Sequence, residues 1–154
     1  MTGASTTLEE IGFVELLVSK KHPWQNWKER ILAEKDPEKQ RDIRRSSNTA
    51  GYFLGSIQAI TLDGRVLGVD ATGSRQGGYV YSAKNVIWVT GVNKLVPDLD
   101  TAFRRLREYC LPLEDAQQKK KGAAGSYIGK MVIYEREGRP NRITTLLIKE
   151  KLGF

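Results

Sequence analysis

Residues 70 to 109 read DATGSRQGGYVYSAKNVIWVTGVNKLVPDLDTAFRRLREY, and this stretch decides the fold. A polar turn (Asp70, Thr72, Gly73, Ser74, Arg75) precedes an apolar run from Val86 to Val89. The run ends in Gly91-Val92-Asn93-Lys94, and an amphipathic helix follows with Asp98 at its cap. Apolarity that is continuous rather than alternating suits a strand buried in a parallel sheet. In open α/β sheets ligands sit just beyond the carboxyl ends of the strands, where small and polar residues replace apolar ones. Gly91, Asn93 and Lys94 occupy such an edge. The stretch therefore predicts a parallel sheet and, at its rim, a pocket.

On the N-terminal side, Asp63-Gly64 separates two short apolar runs, Gln58 to Leu62 and Arg65 to Val69. That is the dipeptide of a type I′ hairpin turn, so a β-hairpin is expected in mid-chain. Gly51 to Gly55 reads as a short buried strand. Earlier still, Thr6-Thr7-Leu8-Glu9 has capping-box form ahead of Leu8, Ile11, Val14 and Leu17, which predicts a helix from about Thr7 to Ser19. Lys20 to Pro23 breaks it. A second helical segment is expected over Trp24 to Lys35, with Trp24, Trp27, Ile31 and Leu32 on one face. Asp36-Pro37-Glu38 opens a third that reaches about Thr49.

On the C-terminal side, Leu99, Ala102, Phe103, Leu106 and Tyr109 form the apolar face of the helix after Asp98. Glu114 to Lys121 is polar, and Gly122 to Ser126 reads as a loop. Gly77 to Ser82 fits a strand or a helical turn equally. The segments Ile128 to Tyr134 and Arg142 to Lys149 are expected to pair as a closing hairpin through Gly138-Arg139-Pro140-Asn141. Strands alternating with helices, with a hairpin inserted, define an α/β class with a single domain over residues 1–154.

The chain has 154 residues, 40% of them hydrophobic, which is enough to bury a core. No apolar stretch approaches the roughly 20 residues of a membrane span, and no secretory signal is visible. The expectation is a cytoplasmic, soluble protein. One cysteine, Cys110, excludes an internal disulfide and cannot alone hold zinc or an iron–sulfur cluster. The net charge of +7 and a pI near 9.6 invite a nucleic-acid reading. The basic residues, however, are dispersed among acidic neighbours such as Glu29, Glu34, Glu38 and Glu108. No aromatic ladder interleaves with them, so nucleic acid is disfavoured and a solvated face or attraction of anionic ligands is preferred.

Three constellations could carry chemistry. Gly3, Ser5, Thr6 and Thr7 stand at a predicted helix start, where free N–H groups favour an anion; the alternative is simple capping. In the turn from Asp70 through Thr72, Gly73 and Ser74 to Arg75, the guanidinium can grip a carboxylate or phosphate in bidentate fashion. The alternative there is a structural turn in which Asp70 pairs with Arg75 and Gly73 supplies an unusual backbone angle. Asn93 and Lys94 would face the same crevice, with Lys94 as a cation or, if desolvated, a reactive amine; the alternative is a surface lysine leading into the Pro97 turn. His22 is the sole histidine, in a polar, Lys-rich break, and is expected to be exposed. Cys110 reads as a small buried hydrophobe. Trp24, Trp27 and Trp88 read as packing residues. No catalytic residue is specified.

Four motifs in order resemble the LUD domain, a family named for lactate utilization. They are Gly3-Ala4-Ser5-Thr6-Thr7-Leu8-Glu9-Glu10-Ile11-Gly12; Ala59-Ile60-Thr61-Leu62-Asp63-Gly64; the stretch holding Thr72-Gly73-x-Arg75 and Gly91-x-Asn93-Lys94-x-Val96-Pro97-x-Leu99; and the close Glu150-x-Leu152-Gly153-Phe154. The resemblance covers all but Lys20 to Arg45. It implies the fold of sugar-phosphate isomerases and coenzyme A transferases, a three-layer, Rossmann-like, mostly parallel sheet flanked by helices. It also implies a small anionic ligand and a subunit of an oxidation system, working beside redox partners. Two departures matter. Relatives usually carry a strand and helix before the first motif, so an exposed sheet edge and a homodimer through it are expected. Many also carry a cysteine-bearing loop where this chain has Ala116 to Ser126, so no metal or cofactor is expected here. A stand-alone acyl- or phosphate-handling enzyme resembling folate cyclo-ligases is the rival.

Overall fold

The computed structural model describes residues 1–154. Four helices come first: α1 (Thr6–Glu10), α2 (Phe13–Val18), α3 (Trp27–Ala33) and α4 (Pro37–Ser46). Strands β1 (Tyr52–Gly55), β2 (Ala59–Thr61), β3 (Val66–Asp70), β4 (Asn85–Gly91) and β5 (Leu95–Val96) follow, then α5 (Leu99–Arg105), α6 (Leu111–Lys120), β6 (Lys130–Tyr134) and β7 (Ile143–Ile148). The chain is an α/β protein whose mostly parallel sheet is flanked by helices, in the manner of a Rossmann-like sandwich.

The strands form two sheets, ordered β1-β4-β7 and β5-β2-β3-β6. The first is wholly parallel, with β4 at its centre; Leu54 lies opposite Ile87, and Val89 opposite Leu146. Val86, Trp88, Val89 and Thr90 are all buried, so both faces of β4 are covered. That is why its sequence is continuously apolar rather than alternating. The second sheet contains the mid-chain hairpin, β2 antiparallel to β3, with β5 added parallel to β2 and β6 antiparallel to β3.

Two apolar clusters hold these layers. Phe53, Ile57, Val66, Tyr79, Ala83, Val86 and Trp88 fill the space shared by the two sheets. Ala59, Leu67 and Val96 meet Ala102 and Leu106 on the helical side. Tyr79 packs edge-on against both Phe53 (5.0 Å) and Trp88 (5.8 Å), an arrangement aromatic rings prefer.

Several local expectations are corrected. The closing hairpin does not form: β6 pairs with β3, while β7 pairs parallel to β4 in the other sheet. Between them Asn141 turns left-handed (φ 61°), and the buried Arg142 docks its guanidinium on the carbonyls of Val80 (2.9 Å) and Ala83 (3.2 Å). The predicted first helix is two, because Gly12 adopts φ 74° and ends the first. Its cap is Ser5, whose hydroxyl accepts from the Leu8 amide, rather than Thr6. Gly64 is left-handed (φ 95°) but Asp63 is not, so the hairpin turn is not type I′. The Gly64 amide instead closes onto the Thr61 carbonyl, the pattern of a turn followed by a left-handed glycine. Trp24 precedes α3 and is exposed, as is Leu32, so the expected apolar face there is carried by the buried Ile31 and the half-buried Trp27. His22 is half-buried, stacked on Trp24 with its Nε2 facing the Leu17 carbonyl at 3.2 Å.

The helix after Asp98 is longer than its apolar face suggests. It passes from α5 through one π-type turn, Leu106 to Cys110, and continues as α6. Pro112 explains the widened turn: it lacks an N–H and its ring would strike the carbonyl four residues back, and slipping to i→i−5 bonding relieves both. Met1 to Gly3 lies along β1, with the Gly3 amide donating to Leu54 O and the Leu54 amide donating to Met1 O. The outer edge of β7 has no strand partner, and Leu146 and Leu147 are exposed there. No helix is long and apolar enough to cross a membrane.

Candidate functional site

The carboxyl ends of β1, β3 and β4 converge on a cavity of about 450 Å³. Ser56 follows β1, Asp70 ends β3, and Lys94 follows β4; all three line it. Gly3 to Thr7 forms one wall, the π-type turn contributes Leu106 and Cys110 to another, and Lys28 of α3 and Arg44 of α4 stand opposite. Of the residues singled out from sequence, Gly3, Ser5, Thr7, Asp70, Ser74, Arg75 and Lys94 meet here. Thr72, Gly73 and Asn93 do not line it.

The Asp70–Arg75 turn is built as a closed unit. Asp70 Oδ1 accepts from the amides of Thr72 and Gly73, each at 3.0 Å, and Oδ2 accepts from Arg75 Nε at 2.8 Å. Gly73 holds φ 88°, which a side chain would resist. The Thr72 hydroxyl accepts from the Ser74 amide. Arg75 also donates to Ala4 O (3.2 Å) and Val69 O (3.1 Å), so three of its five N–H groups are engaged within the protein. A Cβ on Gly3 would lie 2.7 Å from Arg75 Cδ, so glycine is what lets the arginine cross the N-terminal segment. Burial works against the Asp70 charge, yet the Arg75 cation and these hydrogen bonds hold its carboxyl below the usual range. Both parts of the structural alternative for this turn are thus realised: Arg75 neutralises Asp70 and braces one wall.

Asn93 acts elsewhere. Its amide nitrogen donates to Gly153 O (3.0 Å) and its oxygen accepts from the Leu152 amide (3.1 Å), pinning the C-terminal segment. Glu10 adds a hydrogen bond from the Gly153 amide at 2.6 Å. The close approach needs Gly91, where a Cβ would stand 2.4 Å from Glu150 O. Phe154 is thereby delivered to the cavity wall.

Lys94 is buried, not a surface lysine. Its Nζ donates to Thr7 Oγ1 (3.0 Å) and Ser56 Oγ (2.9 Å), and it belongs to none of the six ion pairs. Burial pulls its pKa from 10.5 to about 8. Lys28 and Arg44, which sequence reasoning missed, also lack an acidic partner. Burial first, then the charges of Arg44 and Arg75, lower the Lys28 pKa, the mark of cations crowded together. Against them stand Asp70, already neutralised, Glu114, which accepts from Gln118 at 2.6 Å, and the more distant charges of Glu9 on Lys28 and Glu10 on Lys94, none of which forms an ion pair with these cations. The cavity lining therefore carries an excess of positive charge. Cys110 is buried as expected and its thiol is pushed up by that burial. No three His, Cys, Asp or Glu side chains come together as metal ligands.

Fold and site together define an α/β domain with a cation-rimmed cavity at the carboxyl ends of its parallel strands. The LUD domain description matches residues 1–149, and the chain belongs to that family. Neither the curated proteins nor the solved structures contain a match to the chain.

Proposed function

We propose that this LUD domain binds a small anionic ligand, a carboxylate or a phosphate, in the cavity between β1, β3 and β4, and serves lactate utilization. The observation that carries the reading is the set of three cations at the cavity, Lys28, Arg44 and Lys94, that no acidic side chain pairs. Lys94 is buried and Lys28 half-buried, and charges held out of water without a counter-charge are costly unless a ligand of opposite sign arrives; Arg44 adds an exposed cation at the rim. A cavity of about 450 Å³ suits a metabolite rather than a polymer. The lactate link comes from the family, and any electron transfer would fall to redox partner subunits. The fold of sugar-phosphate isomerases and coenzyme A transferases, which the family resemblance implies, belongs to the same reading, since ligands of open α/β sheets sit beyond the carboxyl ends of the strands. Self-association belongs to it as well, through the unpaired edge of β7.

A thermal-shift panel of small carboxylates, sugar phosphates, nucleotides and acyl thioesters at two salt concentrations tests the proposal. A salt-tolerant rise in Tm with one class, lost when Lys28 and Arg44 are both changed to Ala, is expected. A steeply salt-dependent response to nucleic acid alone would instead favour surface binding and sink the cavity.

A further inference from the structure

Lys94 has a hydrogen-bond set unusual for a structural lysine. It is only 2% exposed, and no carboxylate pairs with it. Its two partners are hydroxyls, and each passes its own proton onward: Thr7 Oγ1 donates to Leu152 O and Ser56 Oγ to Ile57 O, both at 3.4 Å. Both hydroxyls therefore accept from Nζ. An ammonium has three protons, and two are used. Removing the third breaks no hydrogen bond and leaves a lone pair as the amine's one free valence. Thr7 and Ser56, fixed by α1 and by the end of β1, orient that amine at the cavity, while Arg105 opposes its charge and Glu10 and Cys110 favour it. Buried lysines kept from full protonation are the ones that attack carbonyl carbon.

We propose that Lys94 forms a reversible imine with an aldehyde or ketone that also bears an acid group. The inference rests on the anion-binding reading: Lys28 and Arg44 hold the carboxylate or phosphate and present the carbonyl to Nζ. The nitrogen lone pair bonds to the carbonyl carbon, the C=O π pair moves to oxygen, and a proton from nitrogen reaches that oxygen to give a carbinolamine. The hydroxyl then leaves with a second proton as water, and the C=N bond remains. One amine and one carbonyl give one imine and one water, with no oxidant or reductant. An α-keto acid and a sugar-phosphate carbonyl share this chemistry.

The test treats the full chain with pyruvate or with glycolaldehyde phosphate in the presence of cyanoborohydride, which reduces an imine irreversibly, and maps the adduct by peptide mass spectrometry. The expected result is an added mass equal to the probe less one oxygen on the peptide holding Lys94. The preferred probe then identifies the acid. Uncharged glycolaldehyde should label on the order of tenfold less, because it lacks the charge-assisted grip of Lys28 and Arg44. Lys94→Met, of similar length and checked for folding by circular dichroism, loses the adduct. Since the wild-type map locates the label, the test does not depend on that variant folding. Calorimetric binding without an adduct, or with the adduct on Lys28, overturns the imine and leaves the anion site standing. Neither binding nor adduct with either probe overturns both.

Discussion

A single buried amine sets the most specific expectation at the residue scale. The folded-state pKa of Lys94, about 8, lies below its ordinary 10.5. Between those values the unfolded chain binds more protons, so stability rises as pH increases from about 8 to about 10.5. Below about 8 the penalty is fully present, on the order of 3 kcal/mol. Urea denaturation across this range should show the rise in wild type and not in Lys94→Met; equal pH profiles would contradict it. Arg142 carries the opposite kind of burial. It joins Glu137 at 2.7 Å and the carbonyls of Tyr79, Val80 and Ala83. Arg142→Ala strands all of these, and a loss of about 3–5 kcal/mol is expected in the same assay. The Tyr79 hydroxyl is buried without a protein partner and overlies Gly55, where a Cβ would collide with it. Tyr79→Phe should stabilise by about 1 kcal/mol and soften the cost of Gly55→Ala; a destabilised Tyr79→Phe would show that the hydroxyl is satisfied. Sequence showed Lys94 and the Asp70–Arg75 turn because each lies beside a strand end or within a few residues of its partner. Lys28 and Arg44 were hidden, because surface-type cations on separate helices meet only after those helices pack.

Local geometry rather than apolar pattern decides where elements begin and end. Gly12 divides the predicted first helix, although the spacing of Leu8, Ile11, Val14 and Leu17 runs across it. At φ 74°, with nothing within 4 Å of where a Cβ would stand, only backbone strain opposes a side chain there. Gly12→Ala should therefore cost about 1 kcal/mol and Gly12→Asn less, since asparagine tolerates the left-handed region; differential scanning calorimetry reads the order. Strand β4 was legible because burial on both faces writes itself into four consecutive apolar residues. The pairing of β6 and β7 was not. Gly138-Arg139-Pro140-Asn141 looks like a hairpin turn, but turn residues specify only a reversal, and the partner that captures β7 is β4, where Val86 lies opposite Ile143, 57 residues on. Likewise the apolar face of the helix after Asp98 ends near Tyr109, yet one π-type turn carries the helix past Pro112.

Across the whole molecule, the two sheets meet over one apolar cluster and turn the ends of β1, β3 and β4 toward a common cavity. The order of elements in the chain foretold that architecture, while the split into two sheets depended on contacts too distant for local patterns. The exposed Leu146 and Leu147 on the unpaired edge of β7 predict a concentration-dependent dimer, measurable by analytical ultracentrifugation and weakened in Leu146→Lys. A monomer at all concentrations would show that the β7 edge does not pair with a second copy. Anion binding in the cavity can be read by isothermal titration of pyruvate and of glycolaldehyde phosphate into wild type and Lys28→Ala/Arg44→Ala. Binding of one probe to wild type, weakened about tenfold or more in a variant of unchanged Tm, is the predicted result. Equal affinity in the two proteins, or no heat with either probe, would contradict it.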